Sequence, residues 1–451
     1  MRPARTCPLG GCSLTETMTS NFLNSKRRLS DLISTKSPYA SGLTSTRQPY
    51  QSEPSIYLLK SRSKNLWWFA ETKTPTRKNP TNLAVQMDDR TQQLALGDEF
   101  SPDKLRLARC ASNWSLADIG ELLGVTRQYA HKLEVNGLPS PAQLEMLSTA
   151  LGVTREFFCA PRRSSVELEQ CHFRSVRAST LTIKKSIAAQ VELFELLIDE
   201  LDKEVAFPEV NFRTHDEPVS SVDGIEQIAE RFRREQSLGL GPLSNVTRLV
   251  EKIGVLVVNI ADADDRIDAF SLHNKRPLIV RNTAKQNPCR QRFDIAHELG
   301  HLVMHQGVET GCRHTEDQAN QFASALLMPR ASFAGEFPAM RGKYLNWNAL
   351  GELKLRWKVS FKALIYRAQS LDLISQEQAK SGFTYLNRKG FTRREDLDDQ
   401  IEMESPRLVQ RAMDLLDHSS WRKSLKACGL THEMVENRFL LKPPESFLKL
   451  V

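Results

Sequence analysis

At 451 residues, with 40% apolar and 26% charged side chains, the chain has a globular composition and the length for two or three domains, each able to bury its own core. No uninterrupted apolar run is long enough to cross a bilayer, and no basic patch followed by an apolar stretch and a cleavage site opens the sequence, so a cytoplasmic location is expected. The net charge of +8 does not by itself point to nucleic acid: residues 1–86 hold 13 Lys and Arg against 4 Asp and Glu, a balance of +9, which leaves residues 87–451 at −1.

Residues 1–86 are rich in Ser, Thr, Pro, Asn and basic side chains and carry no sustained helical or strand period. They read either as a disordered basic arm or as upstream sequence outside the mature protein, with Met87 as the start of the patterned chain. The eight cysteines (7, 12, 110, 159, 171, 289, 312 and 428) are scattered, so no disulfide framework is expected. Cys7 and Cys12, the only close pair, have no second pair downstream to complete a structural zinc site.

From residue 102 the text predicts five short helices. Ser101 and Pro102 start the first; Ser115 caps Leu116 to Leu123, which Gly124 ends; Thr126 caps Arg127 to Val135. Asn136 to Pro139 stop that helix, Pro141 to Leu151 form a fourth ending at Gly152, and Thr154 caps a fifth ending at Phe157 and Phe158. The run from Ser115 to Glu134, with Gly120 small where two helices cross, Gly124 in the turn, and Ile119, Val125 and Leu133 as apolar contacts, resembles the Cro/repressor type of helix-turn-helix domain, the xenobiotic-response-element family. The resemblance implies an all-α domain whose recognition helix presents Arg127, Gln128, Tyr129, His131 and Lys132 to the major groove and phosphates of a double-stranded DNA operator. Leu116 departs from the family, many of whose members place a Gln there against the DNA backbone. The competing reading is a helix-turn-helix kept only for protein contacts.

A long amphipathic helix is expected from Ile183 to Val205, its stripe formed by Ile187, Val191, Leu193, Leu196, Leu197 and Leu201. That stripe suits either a homodimer or packing against the chain's own downstream domain. Residues 208–218 read as linker; Ile225 to Gln236 and Asn245 to Lys252 read as helices; Val255 to Val258 and Pro277 to Val280 read as strands, with Asp268 to Phe270 as a third between them.

Gln291 to His305 reads QRFDIAHELGHLVMH and predicts a helix burying Phe293, Ile295, Ala296, Leu299, Leu302 and Val303. His297 and His301, four apart, share one face at the spacing by which two imidazoles grip one zinc ion. Glu298, beside the first ligand, is placed to take a proton from water at the metal. The bland alternative, a surface helix with two solvated histidines, sits poorly with a helix that is apolar at nearly every other position. Glu316 opens a second apolar helix where a third ligand is wanted, and Asn320, on the same face, suits the second nitrogen of a ligand histidine. A capping box of Thr315 with Gln318, and an acid favouring the helix dipole, would explain the same turn without metal; beside HELGH the ligand reading leads. Position 307 is Gly, which excludes the class with a third histidine there. His305 is expected near the site, and Arg313 and His314 are candidate oxyanion stabilisers.

Residues from about 225 to 330 resemble the ImmA/IrrE family of zinc metallopeptidase-like proteins. The matching text is Ile225 to Arg234, Gly241-Pro242, Leu249 to Val257, Ile267 to Phe270, Arg290 to Phe293, Ala296 to His301, Glu316 to Ala323 and Leu327 to Pro329. Asp294 stands where small polar residues are usual. The resemblance implies an α+β zincin fold of the gluzincin-like kind, Zn2+ held by His297, His301 and Glu316, Glu298 as catalytic acid–base, and a protein substrate, often a repressor. The expected plan is a multidomain chain: the basic arm at 1–86, the helix-turn-helix domain at 100–160, a helical linker at 161–215, the metallopeptidase domain at 216–380 and a C-terminal region of unassigned role at 381–451. The expected function is a DNA-binding regulator that cleaves a repressor-like protein or itself. The alternatives are a regulator whose metallopeptidase fold binds without cutting and an antitoxin-like protein that grasps a toxin.

Overall fold

The computed structural model describes residues 100–160, 162, 171–173 as backbone, 181–215, 219, 221–261, 269–283, 287–308, 311–339, 344–391 and 394–444. The basic arm, the start at Met87 and Asp268 of the expected middle strand lie outside the described residues.

Five helices open the described chain: α1 (Pro102–Ala111), α2 (Leu116–Leu123), α3 (Arg127–Leu133), α4 (Pro141–Leu151) and α5 (Arg155–Cys159). Their ends follow local capping chemistry. The Ser115 hydroxyl accepts the Asp118 N–H while the Asp118 carboxylate accepts the Ser115 N–H, closing a capping box on α2. Gly124, at φ 64°, makes the left-handed turn that ends it. The Thr126 hydroxyl then accepts the Tyr129 N–H and starts α3. A Cβ at Gly120 would lie 2.8 Å from the Val125 carbonyl oxygen, so the two helices cross only over glycine. Behind α3, the buried Glu134 takes Arg109 Nη2 at 3.0 Å, and Arg106 Nη2 donates to its carbonyl at 3.1 Å. These contacts set the angle between α1 and α3.

Further along, β1 (Cys171–Phe173) and α6 (Leu181–Glu204) precede α7 (Val222–Glu235), α8 (Val246–Lys252), β2 (Leu256–Ile260), β3 (Ala269–His273) and β4 (Pro277–Asn282). The four strands form one sheet in the order β1-β3-β4-β2, with β4 and β2 parallel and the other pairs antiparallel. Both faces are covered, and successive residues sort between them. Val257 and Ile279 join a core with α9 (Pro288–Met304) and α10 (Arg313–Leu327). Leu256, Val258, Phe270, Leu272, Leu278 and Val280 face a second core shared with α6 and the helix-turn-helix domain.

α6 is a core helix rather than a linker. Leu193, Phe194, Leu197 and Leu201 are buried inside the chain, as are Glu192 and Glu200. It packs on α1 and on α16 (His418–Cys428) of the C-terminal region. The stripe read as a possible homodimer surface is therefore consumed by the chain's own fold, the alternative that its spacing left open.

After α10 come α11 (Arg330–Glu336), α12 (Trp347–Trp357), α13 (Phe361–Ser370), α14 (Gln376–Arg388) and α15 (Leu408–Asp414), then α16 and α17 (His432–Phe439). The C-terminal helices touch both halves. Thr154 N–H donates to the Gly429 carbonyl at 2.9 Å, Thr431 N–H to the Gly152 carbonyl at 3.2 Å, and Ala261 N–H to the Arg438 carbonyl at 3.0 Å. The segment before them carries Glu404, whose carboxylate accepts from Val246 N–H at 3.1 Å, Thr247 N–H at 2.8 Å and the Thr247 hydroxyl at 2.9 Å, and pairs with buried Arg292 of α9. Residues 394–444 are thus built into the fold that carries the site. No helix among the described residues is long and apolar enough to cross a membrane.

Candidate metal centre and nucleic-acid interface

α9 lies along β3 on one side and against α10 on the other. It approaches α10 closely because position 300 is glycine: a Cβ there would come within 3.0 Å of the Phe322 ring. At this crossing the structure brings together three of the residues singled out by spacing. His297 Nε2, His301 Nε2 and the Glu316 carboxylate offer ligand atoms that all lie within 4.8 Å of one another. The two imidazole nitrogens are 3.1 Å apart, and the carboxylate oxygens stand 3.3 Å from His297 and 3.5 Å from His301. Both histidines are fully buried.

The outer nitrogens of these rings fix which way the inner ones present. His297 Nδ1 lies 3.0 Å from Asn320 Oδ1, an oxygen that can only accept, so Nδ1 carries the proton and Nε2 its lone pair. For His301 the direction is set further away. Gln318 Nε2 donates to the Val219 carbonyl at 2.5 Å, leaving Gln318 Oε1 to accept from His305 Nε2 at 2.9 Å. His305 Nδ1 then accepts from His301 Nδ1 at 2.9 Å, and His301 Nε2 is also left as a lone-pair donor. Burial, with His301 beside it, pushes His305 down to about 4, so it is neutral near pH 7 as this chain requires. Two lone pairs and a carboxylate facing one another form a group that could hold a metal ion, and an N, N, O donor set is of the kind that zinc takes. Burial by itself would raise the Glu316 carboxyl, but where the two imidazoles take up protons in place of a metal ion they outweigh it and hold it at about 2. A carboxyl depressed in this way contributes stability that is complete above its ordinary range and is lost as pH falls toward 2.

Glu298 is fully buried and turns toward the sheet, where the Ser271 hydroxyl of β3 donates to its Oε2 at 2.7 Å. Ser271 was not singled out from sequence, although a lone hydroxyl in the apolar run Ala269-Phe-Ser-Leu272 was the available signal. Gln318 was read as half of a capping box with Thr315, but that box does not form. The N-cap of α10 is Cys312, the Thr315 hydroxyl donates to the Cys312 carbonyl at 3.1 Å, and Gln318 is drawn to His305. Arg313 and His314 are exposed; Arg313 turns to Asp317 at 3.7 Å and does not join the triad.

In the helix-turn-helix domain, Arg127, Gln128, Tyr129, His131 and Lys132 are all exposed on α3, while Ala130 and Leu133 between them are buried. One face of a short helix is therefore anchored, and the polar face is free to enter a groove.

Residues 250–369 match the family model described as the IrrE N-terminal-like domain, and residues 105–158 match the model described as helix-turn-helix. No curated protein matches the chain.

Proposed function

From a chain that carries an IrrE N-terminal-like domain behind a helix-turn-helix domain, we propose a cytoplasmic DNA-binding regulator with zinc-dependent endopeptidase activity toward a repressor-like protein or itself. The observation that carries the reading is the convergence of His297 Nε2, His301 Nε2 and Glu316 at the crossing of α9 and α10. On this reading the fold is a gluzincin-like zincin, with those three side chains holding Zn2+. When bound, zinc supplies Lewis acidity that makes water acidic near neutral pH. Glu298 takes the proton, and the Ser271 hydroxyl orients its carboxylate. Asn320 and the His305–Gln318 chain keep both ligand rings in the tautomer that presents Nε2. The test is incubation of the purified chain, with zinc and with chelator, against candidate repressor proteins. Chelator-sensitive fragments are expected, and intact repressors under both conditions would refute the activity.

Asn320→Ala is expected to weaken zinc binding by about 10–100-fold, the usual cost of losing a partner that orients a ligand histidine. Competition with a chromophoric chelator reads this directly, and an unchanged affinity would remove Asn320 from the site.

DNA binding rests on the exposed face of α3. Arg127→Ala is expected to cost about 1–3 kcal/mol on the preferred operator and less on other DNA, whereas Lys132→Ala should weaken all DNA alike and reduce the salt slope by about one. Titrations at several salt concentrations separate the two; equal behaviour would contradict this division of base and phosphate contacts. A dimer on paired half-sites must use a surface other than the buried stripe of α6.

Complete burial of His297, Glu298 and His301 favours a second reading, in which the metallopeptidase fold binds a repressor or a toxin without cutting it. Binding that persists with no fragment in the presence of zinc would select it.

A further inference from the structure

A peptide cleaved at the proposed site has to be held extended, and the strand nearest the site has its outer edge taken. β3 carries Ser271, which holds Glu298, and α9 packs along it. One edge of β3 pairs with β4. The other pairs with β1 in the register Cys171 opposite Leu272, His172 opposite Ser271 and Phe173 opposite Phe270.

β1 is unlike the rest of the sheet. The other three strands come from one run of chain, residues 256–282, whereas β1 comes from before α6, between the helix-turn-helix domain and the rest. It is also the shortest, with three residues. Without β1, β3 would be an edge strand with one row of N–H and C=O groups unpaired, on the same strand whose Ser271 hydroxyl holds Glu298. Such an edge is a template for any extended chain, which it binds through main-chain hydrogen bonds. Neighbouring strands lie about 4.8 Å apart, so whatever pairs opposite Ser271 runs past the residue that orients Glu298.

We propose that residues 171–173 of the chain itself hold the outer edge of β3 at rest, the edge along which an extended polypeptide bound at the metal site would pair as an antiparallel strand. The inference rests on the peptidase reading and adds to it what occupies that edge before a substrate does. It also places the occupant in the segment that leads out of the DNA-reading domain, so a substrate strand must displace part of the regulator's own chain. Because the ladder is backbone to backbone, it fixes strand direction and leaves sequence preference to side chains elsewhere.

The test replaces residues 169–176 by a Gly/Ser run of equal length in the full chain and uses a fluorescent synthetic peptide with the sequence of residues 167–177 as probe. The peptide is expected to bind the replaced chain about tenfold more tightly than the unaltered one, roughly the worth of one net hydrogen bond. Zinc content should be equal in both. Cleavage of unfolded casein should rise by a similar factor. Equal peptide affinity for the two chains would overturn the proposal. Tighter peptide binding without cleavage in either chain would keep the strand assignment and reject the peptidase reading. Equal cleavage without a gain in peptide binding would do the reverse. If the replaced chain loses its zinc, His172→Pro, which disturbs β1 at one position, decides by the same comparison.

Discussion

Glu298→Gln is expected to keep its metal and lose about 10²–10⁴-fold in cleavage rate, the range that a positioned general base supplies. The amide is nearly isosteric and still accepts the Ser271 hydroxyl at its oxygen, so the fold has no reason to change. What it cannot do is take a proton from water. His301→Ala differs in kind. It removes one of three converging ligand atoms and also strands the chain through His305 and Gln318 to the Val219 carbonyl. That variant should lose both metal and cleavage, and His297→Ala should do the same. Metal analysis of the purified proteins beside a cleavage assay separates the outcomes. Zinc retained by both His variants would remove them as ligands, and full activity in Glu298→Gln would remove the base. Glu316→Ala completes the set. A loss of zinc affinity supports its role as third ligand, whereas unchanged metal content with a lower melting temperature would leave it as a helix-start acid.

The largest effect on stability is expected from Glu404→Leu, at about 3–5 kcal/mol, the cost of removing one partner from a buried ion pair. Arg292 is almost wholly buried and pairs with Glu404, its remaining donors going to the carbonyls of Leu243 and Lys358 at 2.8 and 3.1 Å. Glu404 also satisfies the first N–H groups of α8. Its loss leaves an uncompensated guanidinium shortly before His297 and takes the acceptor from the N–H groups of Val246 and Thr247, while Asn245 still caps α8 through the Arg248 N–H. Lys423→Ala, which breaks an exposed pair with Glu204 at 3.1 Å, serves as the comparison and is expected to leave the melting temperature unchanged. Denaturant or thermal unfolding measures both. Two indistinguishable melting curves would show that residues 394–444 do not brace α8 and α9.

Much of this was legible before any coordinates, for a specific reason. The helix-turn-helix domain is punctuated by residues that act within one turn of themselves: Ser115 with Asp118, Gly124 at positive φ, Thr126 with Tyr129. Interactions three residues apart in the chain need no knowledge of the fold. HELGH is local in the same way, since two histidines four apart on a helix share a face whatever surrounds them. Less legible were α14, α16 and α17. Their short amphipathic stretches carry a helical period but no sign of which surface they meet.

The sequence by itself marked the two candidate sites: a face of Arg, Gln, Tyr, His and Lys on a short capped helix, and two imidazoles beside a carboxylate on another. It also proposed Glu316 and Asn320 from across a loop, because each acts on a helix whose period was clear. Only the tertiary structure decided what the polar residues without local partners were for. Ser271 meets Glu298 from 27 residues away, Glu404 meets Arg292 from 112, and the amphipathic stripe at 187–201 is buried between the helix-turn-helix domain and the sheet instead of facing a second copy. The physical reason is common to all three. A periodic apolar stripe or a buried polar group announces that a partner is needed, since leaving either unmatched is costly. Burial energy is nearly indifferent to which partner supplies the match, so that choice is made by the packing of the whole chain.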